Sequence, residues 1–338
     1  MPEHMSAGTI TVLGAGSWGT ALAIRLATNG NDVCLWGHEP AFMEKLARER
    51  QNVQFLPDVD FPDKLRVATD LSLAVQHSRD LLVVVPSHAF REVLTRALPS
   101  LTARTRVVWA TKGLETGTGK FMHEVLEEIP GMRCPAAVLS GPTFAREVAA
   151  GLPTAMTVAS TNPAFANDLA SCLQADVMRI YTSDDVIGVE LGGTVKNVLA
   201  IAAGIADGLE LGANCRAALI TRGLAEIIRL GDAMGARRET LMGLSGIGDL
   251  ILTCTDSQSR NRRLGLALGN GRPVDMAVQE IGQVVEGFNT AHEVVRLARR
   301  YKVEMPISEQ VYRVLYTGLS PAAAVQNLLS RESRAESA

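Results

Sequence analysis

The sequence predicts an α/β fold, a doubly wound, mainly parallel sheet followed by an all-helical C-terminal domain. Three observations carry that expectation. A glycine-rich turn, Gly14-Ala15-Gly16-Ser17-Trp18-Gly19, joins an apolar run to a helical stretch. Short apolar runs then alternate with helical patterns through the first half, as strands linked by crossover helices do. From about Asp185 the strand patterns stop, and helical patterns continue to about Leu329. A chain of 338 residues suits two domains, and the expected division falls between residues 187 and 188.

The first strand is Thr9–Leu13, and the helix after the turn runs on from Thr20. Gly14 permits the tight turn, Gly16 lets a pyrophosphate approach the backbone, and Gly19 lets helix and strand pack closely. Backbone N–H groups at the start of such a helix bind phosphate. The strand before and the helix after are the context that turns a GxGxxG match into a dinucleotide-binding, Rossmann-type reading. Asp32–Trp36 is the second strand and Arg66–Ala68 a weak third. Leu81–Val85 is continuously apolar, as a strand covered on both faces is, and Val107–Ala110 repeats the pattern. Ala137–Leu139, Ala155–Ala159 and Met178–Tyr181 complete the strands. Several of these runs lead into polar or turn residues: Pro86-Ser87-His88, Thr111-Lys112-Gly113 and Ser140-Gly141-Pro142-Thr143. In open α/β sheets those carboxyl ends border the ligand crevice. The first long helix begins after Ser183-Asp184-Asp185, all good capping residues.

Bulk properties narrow the partners. A net charge of −3 gives no reason to expect nucleic acid or an anionic membrane. Cys34, Cys134, Cys172, Cys215 and Cys254 are scattered without a CxxC pair, which argues against structural zinc and against a disulfide framework. A reducing cytoplasm fits that usage. The first eight residues lack the basic start and apolar core of a signal peptide, and Met5 is an alternative start to Met1. No apolar run is expected to approach the length of a membrane span. The tail after Ser330 is polar.

Four features offer chemistry. The second strand ends Leu35-Trp36-Gly37-His38-Glu39. Glu39 could grip an adenine ribose and favour NAD, His38 could tolerate a 2′-phosphate and favour NADP, or both are simply solvated. Lys196 stands in an apolar helix, with Gly192, Gly193, Leu199 and Ala200 three and four residues away, so no i,i+4 ion pair is available. It either snorkels to water or is a desolvated amine suited to proton transfer. Asn197 beside it offers a donor and an acceptor. Asp249, after the turn Gly243–Gly248, is either a helix N-cap or a carboxylate that positions a lysine. Ser259-Arg260-Asn261-Arg262-Arg263 concentrates three arginines, as an anion site would, or as a solvated basic helix face would.

Together these segments resemble the NAD(P)-dependent glycerol-3-phosphate dehydrogenases of the bacterial biosynthetic type. The matching stretches are 14–23, 85–90, 110–115, 140–147, 190–209, 243–264 and 284–291, so the likeness covers nearly the whole chain. Leu191–Asn197 and Thr255–Asn261 are its most diagnostic parts. The resemblance implies reduction of dihydroxyacetone phosphate to sn-glycerol 3-phosphate, a phospholipid precursor, with NAD(P)H. By matching position it implies Lys196 as proton donor and acceptor, and Lys112 as a second substrate lysine bordering the cofactor. It implies Gly141 and Thr143 as substrate contacts and Asp249 as the partner of the lysines. Ser259, Arg260 and Asn261 become the substrate-phosphate site, with Arg260 also reaching the cofactor. The implied cofactor contacts are the glycine turn, Ser17, Trp18, His38, Ala145, Val284 and Glu286. Trp18 stands where some relatives carry another aromatic. No metal is implied, since the lysine polarises the carbonyl as a metal would. Two other readings are a 3-hydroxyacid or 6-phosphogluconate-type dehydrogenase and a non-catalytic NAD(H) sensor. A helical second domain with several apolar faces also suggests a homodimer.

Overall fold

The computed structural model describes residues 8–332, so the choice between Met1 and Met5 falls outside the described residues. The strands are β1 (Thr9–Leu13), β2 (Asp32–Trp36), β3 (Gln51–Asn52), β4 (Leu56–Asp60), β5 (Leu65–Ala68), β6 (Asp80–Val83), β7 (Arg106–Trp109), β8 (Ala136–Ser140), β9 (Thr154–Ala159) and β10 (Met178–Ser183). Eight of them form one sheet in the order β10-β9-β8-β7-β6-β1-β2-β5, and every pairing is parallel except β8–β9. The chain order reverses between β1 and β6, which makes their carboxyl ends the topological switch point.

The apolar runs are continuous because both faces of the sheet are covered. Val33 and Leu35 enter one core with Ile10, Val12 and Leu82. Cys34 and Trp36, one residue out of phase, enter the other with Leu13, Leu81 and Val83. That alternation is the period of two of a strand. The expected strand 81–85 closes at Val83, although Val84 still donates its N–H to Leu13 O at 2.8 Å. The hairpin β3–β4 was not expected: Gln51-Asn52 is too short and polar to carry a strand pattern.

The chain divides into two compact units, one of residues up to Glu115 with Lys120–Glu190, the other of Thr116–Gly119 with the residues from Leu191 on. The second unit is helical. Its central helix, Val186–Gly208, starts where Asp185 accepts the Gly188 N–H at 2.8 Å. This helix corrects the expectation about membrane-length runs. It has 23 residues and a mean hydropathy of 1.4 over its most apolar window, enough by length and composition to cross a membrane. Yet 89% of that window is buried inside the protein, so it serves as a core helix. Against it packs the helix Arg260–Gly269, backbone to backbone. A Cβ on Gly204 would stand 2.1 Å from Arg262 O, and one on Gly265 would stand 2.0 Å from Ile201 O. Only glycine admits that approach.

Candidate active site

In the first unit, parallel register aligns Leu13, Val83, Trp109 and Val138 as successive partners across β1, β6, β7 and β8. The glycine turn, Val84–Pro86, Thr111–Gly113 and Gly141–Thr143 therefore leave the sheet at one carboxyl edge. Gly14 has φ +125°, donates its N–H to Trp36 O at 2.8 Å, and would drive a Cβ to 2.6 Å from Val84 O. A Cβ on Gly19 would stand 1.9 Å from Gly14 O. Gly16 differs, since a Cβ there meets nothing within 4 Å. The helix Ser17–Thr28 begins after Gly16 with no side chain capping it. Its first amides, without a side-chain cap, stand at the positive end of a helix dipole beside the open space at Gly16, a fit for a pyrophosphate. The buried Trp18 Nε1 has no hydrogen-bond partner, which leaves a donor for a ligand at the same turn.

Lys112 Nζ donates to Gly141 O at 3.2 Å, and Thr143 Oγ1 donates to the same carbonyl at 3.3 Å. Thr111 Oγ1 fixes the start of this loop on Val85 O at 2.7 Å. Lys112, Gly141 and Thr143, far apart in sequence, therefore meet on one carbonyl. Ala145 opens the helix Ala145–Ala149 and is half-buried. His38 and Glu39 are exposed, and neither side chain has a polar partner among the described residues.

In the second unit the lysine question has a definite answer. Lys196 is 6% exposed and does not snorkel. Its Nζ lies 2.5 Å from Asp249 Oδ1 and 2.9 Å from Thr253 Oγ1. The partner missing from its own helix comes from another helix, Asp249–Thr255. Asp249 is not an N-cap, because Gly248 holds that position, and its carboxylate is fully buried on the lysine. Thr253 was missed by the sequence reading. Its signal was the i,i+4 spacing from Asp249, which sets both side chains on one helix face.

The basic cluster divides. Arg262 is not free for an anion: its Nε and a terminal nitrogen donate to Asp207 Oδ2 at 3.0 and 2.6 Å, and Arg216 shares that carboxylate through Oδ1 at 2.6 Å. Arg263 is exposed. Arg260 is half-buried and has no polar partner among the described residues. Ser259 is the N-cap of its helix, accepting from Arg262 N at 3.2 Å. Asn261 donates to Asn197 Oδ1 at 2.8 Å and accepts from Gly287 N at 2.9 Å. Asn197 in turn donates to Glu286 Oε2 at 3.3 Å. The neighbours of Lys196 and Arg260 are thus bonded to each other. Val284 is 48% exposed and outside this network.

Comparison with known proteins gives the family. A model of the NAD-dependent glycerol-3-phosphate dehydrogenase N-terminus matches residues 9–166, and one of the C-terminus matches residues 185–326. The glycerol-3-phosphate dehydrogenase [NAD(P)+] of Shewanella halifaxensis is 57% identical over 328 residues, covering 97% of each chain. That of Shewanella frigidimarina is 56% identical over 332 residues, covering 98% of each. The crystal structure of glycerol-3-phosphate dehydrogenase from Coxiella burnetii superposes with a TM-score of 0.93 at 50% identity, covering 96% of this chain and 99% of that one. Matched by both family models and 57% identical to a relative over 97% of its length, the chain belongs to the NAD-dependent glycerol-3-phosphate dehydrogenase family.

Proposed function

We propose that the protein reduces dihydroxyacetone phosphate to sn-glycerol 3-phosphate with NADH or NADPH, reversibly, and that residues 1–187 bind the cofactor while residues 188–338 bind the substrate. The observation that carries this is the second unit's combination of a buried, oriented lysine with a half-buried arginine that no carboxylate engages among the described residues. When bound, the reduced nicotinamide supplies a hydride to C2 of the ketone. Negative charge then grows on the C2 oxygen. Lys196 Nζ gives that oxygen a proton, and takes it back in the oxidation. Asp249 and Thr253 fix the direction of the Nζ–H bonds before reaction, so little reorganisation is needed during it. Arg260 holds the phosphate, remote from the reacting carbon, with Ser259 and Asn261 forming the start of the same helix. Binding energy at that remote group positions the carbonyl. Lys112, Gly141 and Thr143 are further substrate contacts. Ala145, Val284 and Glu286 border the cofactor, and His38 and Glu39 set the preference between NAD and NADP.

The product serves glycerophospholipid synthesis in the cytoplasm; five free cysteines support a reducing compartment. We also take the working form as a homodimer. The first half of the helix Gly212–Met234 supports this, since Ala213, Ala217 and Ala218 are exposed there beside an exposed Leu211. Light scattering on the purified protein tests it, a monomeric mass at working concentration being the contrary result.

The activity is tested by following oxidation of NADH and NADPH with dihydroxyacetone phosphate present. Rapid turnover is expected, and the ratio of the two kcat/KM values reports what His38 and Glu39 do. Folded protein that binds the nucleotides but turns over neither would favour a sensor.

A further inference from the structure

The amides of a glycine turn cradle an anion only while the turn's carbonyls are held away from it. At the back of this turn lie two acceptors, Ala15 O and Thr20 Oγ1. One side chain outside the motif bonds both. Asn52 Nδ2 is 3.0 Å from Ala15 O and 2.8 Å from Thr20 Oγ1. Asn52 Oδ1 accepts the Phe55 N–H at 3.2 Å, so both ends of the amide are engaged. The side chain is fully buried. A buried amide is costly unless its bonds are made, and here both donors go to the turn.

Asn52 lies in β3, and the hairpin that carries it is fastened down. Arg50, in the left-handed region at φ +53°, donates to Leu65 O at 2.6 Å, Pro62 O at 2.7 Å and Phe61 O at 3.3 Å. Phe55 meets Phe42 edge-on with ring centroids 5.5 Å apart. Leu56 is fully buried in the core that also holds Ala15. The hairpin is therefore a fixed platform beneath the turn rather than a loose excursion.

We infer that Asn52 is a positioning residue for the cofactor's pyrophosphate. It pins Ala15 and Thr20 so that the N–H groups of Gly16–Gly19 stay turned toward the ligand. This rests on the reading of Gly14–Gly19 as the dinucleotide site.

The test compares Asn52→Ala, Thr20→Val and Gly16→Val with the unaltered protein. NADH and NADPH dissociation constants are read by nucleotide fluorescence, alongside kcat, the KM for dihydroxyacetone phosphate and Tm. Asn52→Ala should raise both dissociation constants about tenfold, the scale of losing one to two buried hydrogen bonds. The KM for dihydroxyacetone phosphate at saturating cofactor should stay within about twofold, since the loss is confined to cofactor binding. A lower Tm with unchanged dissociation constants would mean a merely structural amide and overturns the inference. If Asn52→Ala does not fold, Thr20→Val, which removes one of the amide's two acceptors together with the long Thr20 Oγ1–Ala15 O bond at 3.4 Å, decides: a rise of about threefold supports it, and no rise overturns it. Gly16→Val separates the two levels. If it leaves nucleotide binding intact, the turn is not the site; if it weakens binding while the other variants do not, only the role of Asn52 falls.

Discussion

At the scale of single residues the site depends on who partners whom. With Lys196 as the proposed acid–base group, Lys196→Ala should lower kcat by at least about a hundredfold. Near-normal turnover in a folded variant would remove it from that role. With Arg260 as the proposed phosphate ligand, Arg260→Ala should raise the KM for dihydroxyacetone phosphate far more than it weakens use of unphosphorylated dihydroxyacetone. Equal losses toward both would show that the arginine does not read the phosphate. The types of these residues were legible in the sequence, because an apolar helix with one lysine and a dense basic block stand out. Their pairings were not legible from spacing: Asp249 lies 53 residues from Lys196, and only the family resemblance gave it as the lysine's partner. For the same reason spacing alone did not tell the three arginines apart, where the resemblance singled out Arg260; Asp207 removes Arg262 from service.

At the scale of elements, backbone contact between two helices sets the site's geometry. The helices Val186–Gly208 and Arg260–Gly269 approach through Gly204, Gly208, Gly265 and Gly269. One carries Lys196 and Asn197, the other Arg260 and Asn261. Gly265→Ala places a methyl where Ile201 O now stands 2.0 Å away. The helices must separate, at about 1–3 kcal/mol of stability or more, and the Asn261–Asn197 bond must lengthen. Chemical denaturation should show the lost stability, and activity should fall even in the fraction that stays folded. Unchanged stability and activity would mean that the helices tolerate separation. Strands were legible wherever both faces are apolar, as in β6 and β7. The β3–β4 hairpin was not, because Asn52 earns its burial by hydrogen bonding to Ala15 and Thr20 rather than by hydrophobicity.

At the scale of the whole molecule, stability should carry a pH signature from a group remote from catalysis. Glu226 is buried on the helix Gly212–Met234, and burial pushes its carboxyl up to about 7. Hydrogen bonds from Ile307 N, Ser308 N and Ser308 Oγ, at 2.5, 3.2 and 2.9 Å, oppose that rise only in part. The native state therefore holds a proton here that the unfolded chain, with its carboxyl at 4.5, has already released. Between those two values the unfolded state binds fewer protons, so native stability falls as pH rises, by up to about 1.4 kcal/mol per pH unit from this one group. The contribution is complete below about pH 4.5 and lost once pH passes about 7. Glu226→Gln cannot ionise, and it removes this slope whatever it does to absolute stability. The difference in unfolding free energy between the native sequence and the variant, measured at intervals from pH 5 to pH 8, should decline and then level off. Subtraction cancels His123, where burial lowers the pKa but hydrogen bonding to Glu190 and the charges of Glu190, Glu124 and Glu127 together raise it. A difference that is flat, or that grows with pH, would mean that Glu226 is ionised throughout and that its charge at the start of the helix Pro306–Tyr316 outweighs the cost of burying it.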